Sequence, residues 1–185
     1  MLNLVIFSLY FFLPAYFTNM SPPLAKKADV FNFLDKPIDF NKKFKDEPIL
    51  GAHKTWRGAI LGIAIGILVI YIQKWLYQFP WIQGISFFDY EKINVLLLGF
   101  LLCLGAVFGD LSFAFIKRRL KLKPGAKFLP FDQINYVIGA YILFSLTSCF
   151  KIDNLVWITL LISSFFLHII VNRLGYYLKL HKAKW

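Results

Sequence analysis

The chain has 185 residues, 58% of them hydrophobic and 19% aromatic against 17% charged, with a mean hydropathy of +0.61. That balance effectively excludes a water-soluble enzyme and points to lipid as the solvent around most of the chain. Its 21 Lys plus Arg against 10 Asp plus Glu give a formal +11, and because these charges lie between apolar runs, anionic headgroups and polyphosphates are expected partners and nucleic acid is not.

Five apolar runs, at residues 2–17, 58–77, 93–116, 134–150 and 155–174, are candidates to cross a bilayer, for which ~20 residues at ~1.5 Å each cover a ~30 Å hydrocarbon core. The expected fold is an all-α integral membrane bundle of five transmembrane helices, one polytopic domain over 1–185. The first run reads as a retained helix, since it has neither a basic start nor a small-x-small cleavage site. Cys103 and Cys149 both fall inside apolar runs, so neither a disulfide framework nor a thiolate metal cluster is expected.

Between the first two runs lie Lys26, Lys27, Lys36, Lys42, Lys43, Lys45, Lys54 and Arg57, and after the third lie Lys117, Arg118, Arg119, Lys121, Lys123 and Lys127. Arg173, Lys179, Lys182 and Lys184 follow toward the end, leaving Lys74, Lys92 and Lys151 for the other side. Basic residues are retained in the cytoplasm, so the N-terminus is expected outside and the C-terminus and two long basic loops inside, in a multi-pass protein of the cell membrane. Function is expected on that cytoplasmic face.

Asp110 interrupts the third run near its cytoplasmic end, where an unpaired carboxylate costs several kcal/mol. It is either paired with Lys117, seven residues on and on the same helical face, or a ligand for a hard cation. Asp132 opens the fourth run, with Gln133 beside it and Asn135 one turn along. Two such carboxylates next to Lys117, Arg118 and Arg119 suit magnesium with a polyphosphate, because magnesium takes one or two carboxylates and leaves other positions to water and phosphate. Lys54, Thr55, Arg57 and Gly58 form a helix entry whose side chains and free N–H groups could donate to phosphate, or could simply anchor the helix at the interface. Gly58, Gly62 and Gly66 make a close-packing stripe that would serve a homodimer as readily as an intramolecular contact, and Gly105 and Gly109 make another. If Gly109 has a further role, it is to admit a ligand beside Asp110. Ser164, His168 and Asn172 share one face of the last run and read as interhelical hydrogen-bonding groups.

These residues resemble the CDP-archaeol synthase family, membrane cytidylyltransferases related to the CDP-diacylglycerol synthases. The resemblance is carried by LPAYFTNMSP at 13–22, PIDFNKKFKD at 37–46, LGAHKTWRG at 50–58, the Gly109–Asp110 pair followed by FIKRRL at 115–120, PFDQINYVIGA at 130–140, His168 with Asn172, and the terminal Trp185. It implies a five-helix fold, CTP and a lipid phosphate as substrates, and Mg2+ as cofactor. By the same resemblance Asp110, Asp132, Lys117 and Arg118 would be catalytic, and Asp39, Lys54, Thr55, Arg57, Gly58, Arg119 and Gln133 would bind CTP. Asp110, Asp132 and Asn135 would hold the metal. Two positions depart from the family pattern: Ala114 stands where serine is frequent, and Asn135 where an acidic residue is frequent. The alternatives are therefore a CDP-diacylglycerol-type synthase acting on phosphatidic acid and a non-catalytic protein of the same fold that binds nucleotide or anionic lipid.

Overall fold

The computed structural model describes residues 2–123 and 126–177. The helices are α1 (Leu2–Lys27), α2 (Trp56–Leu76), α3 (Pro80–Gln83), α4 (Val95–Arg119), α5 (Phe131–Thr147) and α6 (Asn154–Tyr177). The all-α expectation holds except in the segment between α1 and α2. There a 3-10 turn at Asn32–Leu34 precedes a two-stranded antiparallel hairpin, β1 (Lys43–Phe44) with β2 (Glu47–Pro48), in which Lys43 faces Pro48. Lys179, Lys182, Lys184 and Trp185 lie outside the described residues.

Among the described residues four helices, α1, α2, α4 and α6, are long and apolar enough to cross a membrane. The fourth expected span, α5, has 17 residues and reaches about 26 Å. It starts and ends three residues earlier than its apolar run, and Ser148, in a left-handed conformation (φ 50°), closes its C-terminal end. Large apolar side chains such as Leu68, Trp75, Ile162, Phe166 and Ile170 point outward, an arrangement that suits lipid and would promote aggregation in water.

α1 overruns its expected end at residue 17 by ten residues, passing through Pro14, Pro22 and Pro23. Each proline lacks an N–H and orphans the carbonyl four residues back, and side chains take up two of those carbonyls. Gln73 Nε2 of α2 donates to Tyr10 O at 2.6 Å, the acceptor Pro14 leaves free, and Ser21 Oγ donates to Thr18 O at 3.0 Å, the acceptor Pro22 leaves free. With those groups satisfied, the helix continues.

α1 is the hub of the bundle, packing on α2, α4, α5 and α6. Phe11 makes edge-to-face contacts with Phe87, Phe144 and Trp157, and Phe12 does so with Tyr16 and Trp157. Tyr16 and Ser164 share a 2.6 Å hydrogen bond from α1 to α6, the interhelical role expected for Ser164. The glycine stripes set the closest approaches. A Cβ at Gly66 would overlap Thr18 and Cys103, and one at Gly62 would lie 2.9 Å from Thr18 O, so the Gly58, Gly62, Gly66 stripe is consumed by α1 and serves an intramolecular contact. Gly105 and Gly109 meet α5 in the same way. The backbone of Asn135 fills the space beside Gly109, which leaves no room there to admit a ligand.

Candidate active site

The polar end of the bundle gathers the C-terminus of α4, the N-terminus of α5 and the segment entering α2. On α4, Asp110, Ala114, Lys117 and Arg118 follow the i, i+4, i+7, i+8 spacing of one helical face, and all four line a cavity of about 290 Å³, near the lower end of the ~300–1,000 Å³ ligand-pocket range. Asp132 and Asn135 of α5 close a second wall, and Leu50, Gly51, His53 and Lys54 close the third. Asp132 lies in the first turn of α5 and Lys117, Arg118 and Arg119 in the last turn of α4, each sign of charge at the helix end that favours it.

Two ion pairs cross this cavity. Lys54 Nζ donates to both oxygens of Asp110 at 2.7 Å, and Lys117 Nζ to both oxygens of Asp132 at 2.9 Å. Asp132 Oδ2 also accepts from the Phe128 backbone N–H at 2.8 Å. The Asp110–Lys117 pairing considered from sequence is thus replaced by two others. Seven residues share a face but lie about 10 Å apart along the axis, whereas Lys54 and Asp132 arrive directly opposite.

Asn135 is buried and its Oδ1 has no hydrogen-bond partner, as is true of Gln133 Oε1 and Arg118 Nε. A buried acceptor without a donor is costly unless something meets it. Among the described residues no cluster of three His, Cys, Asp or Glu could hold a metal. The two carboxylates of the cavity are nevertheless hard oxygen ligands of the kind magnesium takes alongside phosphate, and the amide oxygen of the lining residue Asn135 is buried without a donor.

Other residues expected at the site hold the scaffold. Arg57 is buried, paired with Asp35 at 2.8 Å and donating to Asn32 Oδ1 at 2.6 Å. Arg119 donates to the Phe44 carbonyl and to Pro48 O at 2.6 Å, lying over the Phe44 and Phe115 rings. Asp39 accepts the N–H groups of Leu50 at 2.8 Å, Asn41 at 3.0 Å and Gly51 at 3.1 Å. Burial alone would raise the Asp39 pKa, but these three donors together outweigh it and hold the carboxyl below the usual carboxylate range. Thr55 caps α2, its Oγ1 accepting from Gly58 N at 3.3 Å. Gln133 is buried outside the cavity lining.

A smaller crevice of about 60 Å³ opens between α1, α2 and α4, lined by Thr18, Pro22, Thr55, Gly58, Ala59, Val107 and Leu111 among others. It shares His53, Lys54 and Asp110 with the larger cavity, so the Lys54–Asp110 pair is the wall between the two. His53 had no role assigned from sequence; its place just before Lys54 was the available signal.

The CarS-like CDP-archaeol synthase family model matches residues 1–185. The chain belongs to the CDP-archaeol synthase family. CDP-archaeol synthase of Archaeoglobus fulgidus is 35% identical over 189 residues, all of both chains, and that of Sulfurisphaera tokodaii is 31% identical over 98% of this chain and 96% of its own. The Thermococcus gammatolerans CDP-archaeol synthase is 39% identical over 75% of this chain and 73% of its own. A solved structure of an intramembrane enzyme for archaeal membrane lipid biosynthesis superposes with a TM-score of 0.70 at 22% identity, over 89% of this chain and 91% of that one, a likeness of fold. The long apolar helices of this chain, in a fold shared with an intramembrane enzyme, are those of a membrane protein.

Proposed function

We propose that this chain transfers the cytidylyl group of CTP to an ether-linked lipid phosphate of the archaeal type, forming a CDP-activated lipid and pyrophosphate. The observation that carries the reading is the cavity in which Asp110, Asp132 and Asn135 meet Lys54, Lys117 and Arg118. Membership of the CDP-archaeol synthase family over the whole chain supports it.

A lipid phosphate oxygen attacks the α-phosphorus of CTP, the new P–O bond forms, and the α–β anhydride breaks to release pyrophosphate. The nucleophile is already an anion, so the site needs no base; it needs to hold two anionic reactants together and offset their charge. Lys117 and Arg118 are placed to bind the triphosphate. Lys54, in the shared wall, is placed to touch phosphates on both sides, with the lipid phosphate entering through the crevice between α1, α2 and α4. Asp110, Asp132 and Asn135 would hold Mg2+, which when bound offsets phosphate charge and aligns the phosphates. Asp39, Arg57 and Arg119 act by positioning the segment that carries Lys54, and Thr55 with Gly58 by starting α2 beside the crevice.

In this reading α5 spans a locally thinned bilayer as the fourth of five transmembrane helices. The N-terminus is outside, and the cavity faces the cytoplasmic leaflet of the cell membrane. The test is transfer of label from α-labelled CTP into the organic phase by purified protein with Mg2+, offering archaeal-type and diacyl lipid phosphates side by side with Asp110→Asn as control. Label in the archaeal-type lipid alone, lost in the control, supports the proposal. Label in the diacyl lipid alone moves the substrate to phosphatidic acid, and no label in either lipid from CTP-binding protein moves the chain to the non-catalytic reading.

A further inference from the structure

We infer that Lys54 and Lys117 are exchangeable counterions: each occupies the carboxylate that the proposed metal site requires and surrenders it when nucleotide phosphate arrives, so nucleotide and metal enter the cavity as a coupled pair. This rests on the function proposed above and adds the order and linkage of loading.

The geometry leaves little choice. Each ammonium is shared between both oxygens of its partner, at 2.7 Å on Asp110 and 2.9 Å on Asp132, and Asp132 Oδ2 carries the Phe128 N–H as well. A magnesium ion takes carboxylate oxygens at short range, and an ammonium bonded to both oxygens of a carboxylate competes for the lone pairs it would use. One group must leave. The lysine is the one able to, because its charge rides on a flexible four-carbon stem, while the carboxylates are fixed to α4 and α5. Asn135 lines the same cavity, and its buried Oδ1 has no hydrogen-bond partner to exchange.

The charge of the cavity sets the sign of the coupling. Lys54, Lys117 and Arg118 against Asp110 and Asp132 leave one net positive charge before anything binds. A divalent cation entering alone raises that charge and strands two ammonium groups. Entering with a triphosphate, the cation finds an anion that accepts the displaced lysines. Metal binding without nucleotide is therefore weak because of the lysines, and nucleotide tightens it by taking them away, a reciprocal coupling.

The experiment is binding of Mn2+, a paramagnetic stand-in for Mg2+, to the full-length protein in detergent, read by electron paramagnetic resonance without lipid substrate. Lys54→Met and Lys117→Met are expected each to bind Mn2+ alone at least about tenfold more tightly than wild type, and to gain less than wild type from added CTP; Lys54→Arg stays close to wild type. Misfolding lowers affinity, so a gain cannot come from structural damage. If both methionine variants bind Mn2+ alone no more tightly than wild type while Asp110→Asn and Asp132→Asn weaken it, the exchange is refuted and the metal site stands. If the two Asn variants bind Mn2+ with CTP as wild type does, the metal site falls and the exchange with it.

Discussion

Gly105→Ala tests whether the α4–α5 contact sets the spacing of the site. A Cβ there would lie 2.5 Å from Ala140 Cα and 2.9 Å from Ala140 N, backbone atoms that cannot rotate away. Bringing that contact to ordinary carbon separation of about 3.5 Å requires the helices to part by about 1 Å. Overpacking of this kind costs about 1–3 kcal/mol, and each kcal/mol lowers the melting temperature of a chain this size by about 2–4 °C. Because Asp110 stands on α4 and Asp132 and Asn135 on α5, the separation is carried into the cavity, where a 1 Å misplacement costs about 100-fold in rate. The assay pairs thermal unfolding in detergent with label transfer from CTP at a temperature where the variant is folded and monodisperse. Gly84→Ala is the control, since a Cβ there meets its nearest neighbour at 3.5 Å. Wild-type melting and wild-type rate in Gly105→Ala would refute the reasoning, and lowered melting with an unchanged rate would separate the helix contact from the site.

Asp110→Asn and Asp132→Asn are each expected to cut turnover at least about 100-fold, ~2.7 kcal/mol of transition-state stabilisation, measured with correctly inserted protein; rates near wild type would remove both from the catalytic proposal. For sidedness, the exposed Cys149 should react with an impermeant maleimide from outside the cell, while Lys123→Cys in a Cys149→Ser background should react only after permeabilisation. The reverse pattern would invert the assignment. Asp39→Asn is expected to cost about 1.5–3 kcal/mol, because an amide cannot accept all three N–H groups. The folded Asp39 pKa is depressed, so its contribution is fully present above the unfolded value of about 3.9 and is lost as pH falls through the folded one. The stability gap between wild type and variant should be constant from pH 5 to 8 and shrink below about pH 4, and a gap that changes between pH 5 and 7 would point to another group.

Four of the five expected spans, those of α1, α2, α4 and α6, were legible because a helix solvated by lipid is apolar on every side, so hydropathy alone locates it. The extension of α1 was not legible, because Pro22 and Pro23 read as an end to any helix whose freed carbonyls go unmet, and the Ser21 hydroxyl that meets one of them shows its role only in place. The cavity face of α4 could be read from the spacing of Asp110, Lys117 and Arg118, since helical periodicity is local. Its partners could not. Lys54 stands out in the sequence as part of the entry to α2, but it lies 56 residues from Asp110, and no local periodicity pairs side chains so far apart in the chain. Arg57 and Arg119 looked like phosphate clamps for the same reason that they make good scaffold residues: a guanidinium fork suits carbonyl and carboxylate oxygens as well as phosphate.

The scaffold role of these arginines bears on how Lys54 is held. The segment ahead of α2 takes Phe40, Asn41, Lys45 and Asp46 to positive φ, a region that non-glycine residues enter at a cost. Three anchors offset that cost. Arg119 ties both strands of the hairpin to the end of α4, Arg57 ties the 3-10 turn to the start of α2 through Asp35 and Asn32, and Asp39 ties the beginning of the segment to Leu50 and Gly51. The backbone then returns alongside itself, Ile38 N donating to Lys54 O at 2.8 Å and Trp56 N to Lys36 O at 3.0 Å. Lys54 is therefore fixed at its backbone, while its ammonium is held by Asp110 at the end of a flexible four-carbon stem. A lysine that must face Asp110 before loading and phosphate afterwards needs that combination of a rigid root and a swinging tip.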